Sequence, residues 1–184
     1  MEMMESILTL NNLDRCQVCR YCCWSDRENM TIIFLDMEIA AIRETYQKMP
    51  RFLPYKESSN VFQVELGLAR RESGGFYYVC PFLDVGDHRC RIYEKRPLDC
   101  RLWPFFFSED KENGEVNISY FAGSCLAFNR ASGSMLAIYQ QYIIEILTSA
   151  EYLRLLREYP ELVWEYKPNE DVRKIRSIEP GLKT

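Results

Sequence analysis

Apolar positions recur along this chain at two periods, and the switches between them mark out elements. Thr31-Ile32-Ile33-Phe34-Leu35 is a short, β-branched run that predicts a strand. Asp36 then stands where a helix N-cap belongs, with Glu38 in the first turn. Ile39, Ile42, Tyr46 and Met49 follow at helical spacing until Pro50, which predicts an amphipathic helix of about three to four turns. Residues 51–60, with Pro54 and Ser58-Ser59-Asn60, read as a loop. Val61, Val64, Leu66 and Leu68 lie in a mostly alternating segment, and Phe76-Tyr77-Tyr78-Val79 is aromatic and β-branched. With the turn-rich Arg70 to Gly75 between them, they predict a β-hairpin whose second strand runs into Cys80.

The Asp/Gly-rich stretch from Cys80 to Cys90 must turn sharply and bring those two cysteines towards each other. Arg96-Pro97-Leu98-Asp99-Cys100-Arg101 opens a single helical turn with Pro97 at its first position, closed by Pro104. Phe105-Phe106-Phe107 and Val116 to Phe121 flank Glu112-Asn113-Gly114, a second hairpin signal. Beyond it, Ser134 caps a helix carrying Ile138, Tyr139, Tyr142, Ile143, Ile146 and Leu147. Ser149 starts another with Leu153 and Leu156, ending before Pro160, and Pro160 to Tyr166 forms a further short turn. From Lys167 the chain is polar and reads as a loosely held tail. The expected fold is α+β: a small single domain of two β-hairpins and metal-binding loops, packed with an N-terminal helix and C-terminal helices. Residues 1–15 form a lead-in, 16–166 the domain, and 167–184 the tail.

What changes this ordinary picture is the cysteine pattern. Cys16-Gln17-Val18-Cys19-Arg20-Tyr21-Cys22-Cys23 places four thiols in eight residues, and Cys80, Cys90, Cys100 and Cys125 complete the eight in the chain. A disulfide framework and a metal site both use such cysteines. The acidic start, Met1-Glu2-Met3-Met4-Glu5-Ser6, is not that of a secretory signal. The expected compartment is therefore the cytoplasm, where thiols stay reduced, and metal ligation is favoured. A C-x2-C spacing sets two thiolates on one tight turn. The tripled run resembles the first three ligands of a bacterial ferredoxin, and a four-thiolate zinc site is the alternative. Adjacent side chains diverge on helices and strands alike, so Cys22 and Cys23 fit poorly on one tetrahedral ion. Eight thiolates divide into two sets of four, which favours two sites or one multinuclear centre drawing on both halves of the chain.

A thiolate-bound cluster of this kind is anionic. Arg20, Arg89, Arg91, Arg96 and Arg101 all lie within a few residues of a cysteine, and Arg91, Arg96 and Arg101 are the expected cofactor-binding arginines. Trp103, Phe105, Phe106 and Phe107 are read as core in the first instance and as a shield for a cluster in the second. His88 is the only histidine, which excludes a zinc hydrolase built on two or three histidines. In its Asp/Gly-rich loop it is expected to be solvated rather than ligating. Net charge is −4 and the composition is 47% hydrophobic. That charge, with acidic and basic residues interspersed, argues against nucleic-acid binding, and no run is long enough to span a membrane. No phosphate-binding glycine loop occurs.

The order of these segments carries a resemblance. CxxCxxCC at Cys16–Cys23, Cys80-Pro81-Phe82-Leu83, Cys90-Arg91-Ile92-Tyr93, Arg96-Pro97-x2-Cys100-Arg101 and Pro104-Phe105 together resemble the YkgJ-like cysteine-cluster family, from about Cys16 to Cys125. The resemblance implies zinc or iron chelation by all eight cysteines and a label of Fe–S oxidoreductase. The tripled C-x2-C run together with that label favours an iron–sulfur cluster as cofactor, [4Fe–4S] in the favoured form, with zinc as the alternative. The implied role is redox or enzyme-supporting, with a protein partner. A zinc-stabilised binding module is the other class, as is an iron–sulfur component of a protein lysine methylase system.

Overall fold

The computed structural model describes residues 23–25, 31–122, 133–165 and 172–178. Runs of strands and of helices make an α+β fold, and its contacts divide the chain into two compact units, residues 1–101 and 102–184.

The first unit holds two three-stranded antiparallel sheets. Strands β1 (Trp24–Ser25) and β2 (Ile33–Leu35) precede helix α1 (Asp36–Arg43), which is followed by β3 (Phe52–Pro54), β4 (Val61–Val64), β5 (Gly67–Arg70) and β6 (Phe76–Val79). One sheet has the order β2-β4-β3, the other β1-β6-β5. A 3-10 turn at Tyr93–Lys95 and the short helix α2 (Leu98–Leu102) follow.

Two expectations are corrected here. Helix α1 has Leu35 rather than Asp36 at its cap position and spans eight residues. It stops because the Ile42 carbonyl accepts from the amides of both Thr45 and Tyr46, at 3.0 and 2.9 Å. The apolar period outlives the helix because Tyr46 reaches the same core from the following turn, its ring 5.5 Å from that of Phe82. The segment read as a loop contains β3, where Phe52 packs edge-to-face on Phe34 at 5.1 Å. Pro54 ends that edge strand, where the missing N–H costs the ladder nothing.

The predicted hairpin is present as β5–β6, in the register Leu68↔Tyr78 and Arg70↔Phe76. Gly74 and Gly75 turn it at φ of 90° and 85°, a region that glycine enters without a Cβ penalty. Val61 to Val64 belongs instead to the other sheet. Ile32, Phe34, Ile39, Ile42, Val64, Val79, Cys80, Phe82, Leu83 and Ile92 form one buried cluster. Each large apolar side chain so enclosed stabilises the fold by about 1.5–3 kcal/mol.

The second unit is built on a four-stranded sheet. Strands β7 (Phe105–Asp110) and β8 (Glu115–Phe121) are followed by helices α3 (Gly133–Leu147) and α4 (Ala150–Glu158). A 3-10 turn, β9 (Val163–Glu165) and β10 (Val172–Ile178) complete it. The sheet order is β10-β8-β7-β9, with β9 parallel to β7 and the other pairs antiparallel. Asn113-Gly114 makes the expected β7–β8 turn, with Gly114 at φ 72° and the Asn113 side chain accepting from the Glu115 amide at 2.9 Å. Phe105 and Phe107 are core residues of this unit, and Phe105 meets Tyr139 of α3 at 5.8 Å. On α3 the buried stripe is Tyr139, Ile143 and Leu147, while Ile138 is 72% exposed. Ser149 caps α4 through the Tyr152 amide, as expected. The Ser134 side chain lies outside the described residues.

The polar tail is corrected over residues 172–178, which pair with β8 as an edge strand. Only Val172 and Ile178 are buried on it. Its charged residues are what an exposed edge strand carries to discourage pairing with other chains. They also hid the strand from a hydrophobic pattern.

Candidate metal centre

Four of the eight cysteines, Cys23, Cys80, Cys90 and Cys100, lie among the described residues, and all four line one cavity of about 40 Å³. Three different local structures bring them there.

Cys23 and Cys80 arrive by strand pairing. Trp24 faces Val79 and Ser25 faces Tyr78, and the Cys80 amide donates to the Cys23 carbonyl at 2.8 Å. Cys23, the last cysteine of the N-terminal run, is thus joined backbone to backbone to the hairpin that leads into Cys80. Cys90 arrives by the sharp turn expected from the Asp/Gly-rich stretch. The Asp84 amide donates to the Arg89 carbonyl and the Arg91 amide to the Phe82 carbonyl, both at 2.8 Å, so that Cys90 faces Leu83. Asp84 shapes the bend by accepting from the Gly86 amide at 3.0 Å, and His88 adopts φ 61° within it.

Cys100 arrives on α2, and two carboxylates fix that turn. Asp99 accepts from the Ile33 amide of β2 at 3.1 Å. Glu38, on α1, accepts from the Leu98 amide at 2.7 Å and from the Leu35 amide at 2.9 Å. One carboxylate therefore holds the N-termini of two helices, while the other ties the second helix back to the strand preceding the first. Burial pushes Glu38 up to about 7 against the opposing pull of its two backbone donors, and burial pushes Asp99 up to about 6. Sequence reading placed Glu38 only as a helix-dipole residue and gave Asp99 no role. A carboxylate next to a cysteine in a Pro-led turn was the available signal.

The cavity wall is otherwise largely apolar, with Phe34, Phe82 and Ile92 among its residues. Cys80 belongs to the buried core, and Cys23, Cys90 and Cys100 pack against it. No disulfide joins any two of the four. His88, expected to be solvated, is half-buried and lines the cavity.

Of the three expected arginines, Arg96 lines the cavity. It is buried, stacks 3.7 Å above the Tyr93 ring and donates through Nε to the Tyr93 carbonyl at 2.9 Å. Arg101 donates to the carbonyls of Arg96 (2.7 Å) and Glu94 (3.1 Å). It braces the backbone that carries Arg96. Arg91 pairs with Asp84 at 3.0 Å on an exposed surface, which holds the Asp84 carboxyl below its ordinary range. Cys16, Cys19, Cys22 and Cys125 lie outside the described residues.

Soft sulfur donors in an apolar, half-enclosed pocket with one buried guanidinium fit a thiophilic metal such as zinc or iron in a cluster. A single tetrahedral ion with metal–sulfur bonds of about 2.3 Å needs its sulfurs about 3.8 Å apart. Among the described residues, no three Cys, His, Asp or Glu side chains are grouped to hold one ion.

Residues 15–126 match the CxxCxxCC family, whose description reads "Putative zinc- or iron-chelating domain". That stretch is more than half of the chain, and the protein belongs to this family of cysteine-rich metal chelators. It is also similar to a protein of Methanocaldococcus jannaschii named "Uncharacterized protein MJ0661", with 33% identity over 105 residues. The match covers 57% of this chain and 50% of that protein, so the chain spans about half the length of this curated relative. No solved structure matches.

Proposed function

We propose that the protein is a cytoplasmic iron–sulfur protein whose eight cysteines, Cys16, Cys19, Cys22, Cys23, Cys80, Cys90, Cys100 and Cys125, supply the ligands. The observation that carries this reading is that four cysteines far apart in sequence line one cavity. Eight thiols are twice what one tetrahedral ion can take, which suits a multinuclear centre better than a lone ion. When bound, such a cluster supplies one-electron transfer. The apolar wall of Phe34, Phe82 and Ile92 would exclude water from it, and Arg96 would place a buried positive charge beside its sulfurs. The role that follows is to pass electrons to, or support, a partner enzyme. No helix among the described residues is long and apolar enough to cross a membrane.

Zinc is the second reading, favoured by how closely the thiols join the core: a redox-inert ion there would act as a staple for a binding module. Anaerobic purification, metal and sulfide analysis, and an absorption spectrum before and after dithionite separate the two. The iron–sulfur reading expects iron, labile sulfide and a broad band near ~400 nm that bleaches. Stoichiometric zinc without colour overturns it.

A further inference from the structure

We propose that Cys23 and Cys80 are ligands of one and the same metal centre, a cross-strand pair that closes into a disulfide when the metal is absent. This rests on the metal-binding reading above and assigns two of its ligands to each other.

Strand register sets the two cysteines against each other. Trp24 faces Val79 and Ser25 faces Tyr78 in an antiparallel ladder, so the next position sets Cys23 directly opposite Cys80. The 2.8 Å bond from the Cys80 amide to the Cys23 carbonyl carries the ladder to that position. An opposed pair joined by such a bond has its Cα atoms about 5.5 Å apart. That falls inside the range of about 4.4–6.8 Å that a disulfide spans. Both side chains line the same cavity, so the two sulfurs face a common space. Nothing comparable aligns the other two described thiols: Cys90 faces Leu83 across its bridge, and Cys100 rides on α2.

Two sulfurs held opposite each other have two fates. As thiolates they share a metal. As thiols they lose two S–H bonds and form one S–S bond, passing two electrons and two protons to an oxidant. With diamide, the azo N=N accepts both and becomes a hydrazine with two N–H bonds. Electron pairs committed to a metal are withheld from the oxidant, so occupancy of the centre and the disulfide exclude each other. The pair would then release metal under oxidation and retain it in a reducing cell.

The test uses the full chain, stripped of metal under reducing, anaerobic conditions and divided in two. One half is reconstituted with zinc, which is redox-inert, and both are treated with diamide, alkylated and mapped by peptide mass spectrometry. The expected result is a dominant Cys23–Cys80 disulfide in the metal-free half, forming on the order of tenfold more slowly in the zinc-loaded half. A dominant disulfide between other cysteines overturns the pairing. So does equal oxidation of both halves when zinc is shown to be bound, and metal binding itself survives either result. If neither zinc nor iron with sulfide is taken up by the full chain, the metal-binding reading fails, and this inference fails with it.

Discussion

In the unit formed by residues 1–101, the core and the candidate site are one surface: Cys80 is a member of the buried cluster, and Phe34, Phe82 and Ile92 belong to the cluster and to the cavity wall alike. In the unit formed by residues 102–184, the core is aromatic and aliphatic, with Phe105, Phe107, Ile118, Ile143 and Leu147 buried behind ladders of six and seven residues. The first unit has strands of only two to four residues in two separate small sheets. Short strands bury little apolar area and hold few ladder bonds, so such a unit leans on cross-links. Among the described residues, the thiols are part of the core of the first unit and of no core in the second.

The sharpest way to break this comparison is to remove the metal. Structural metal sites contribute on the order of 10 kcal/mol in small domains. A chelator should therefore strip hydrogen-exchange protection from the amides of β1, β6 and α2, while β7 and β8 keep theirs. Equal loss across both units would show that the cysteines do not support the first unit selectively.

A smaller effect separates packing from ligation. Phe82→Ala and Phe107→Ala each empty a buried aromatic site, and each should cost about 3–5 kcal/mol in denaturant titration. Phe82 also lines the cavity, so its loss should weaken metal retention against a competing chelator. Phe107→Ala should leave retention unchanged. Matching losses of metal in both variants would mean that the cavity wall contributes nothing beyond general stability.

How far the sequence reveals all this differs between the units in the same way. The cysteine spacings, the β5–β6 hairpin, the turn before Cys90, the Pro97-led helix and the Asn113-Gly114 hairpin were legible because each has a local chemical signature. Glu38 and Asp99 were not, since their partners are backbone amides about sixty residues away, a relation no local pattern encodes. Strand β10 was invisible for the opposite reason. An edge strand with exposed Arg173, Lys174 and Arg176 has no alternating apolar signal to read. The Asp/Gly-rich stretch around His88 is an exposed turn, as its composition indicates, with Val85, Gly86, Asp87 and Arg89 in solvent, while His88 itself is half-buried and lines the cavity.

The carboxylate clamp gives a third test, in pH. Burial raises Glu38 to about 7 from its ordinary value of about 4.5, so between those values the folded chain holds a proton that the unfolded chain has released. Stability contributed by the protonated group is therefore full below about 4.5, falls as pH rises, and levels off above about 7. Glu38→Gln, compared with wild type in metal-free protein, should flatten that part of the curve. The same slope in both proteins would mean that Glu38 is not the group responsible.

The smallest effect belongs to the edge of the second unit. Lys174 on β10 reaches Asp110 at the end of β7 at 2.8 Å, and this contact holds the Asp110 carboxyl below its ordinary range. Both side chains keep some exposure to water, so the pair should contribute little to stability, and less at high salt. Lys174→Ala should lower the unfolding midpoint slightly and leave metal retention untouched. A large loss would mean that β10 is held mainly by this ion pair. The seven-residue span of the strand and the buried anchors Val172 and Ile178 argue instead that its ladder and its two ends hold it in place.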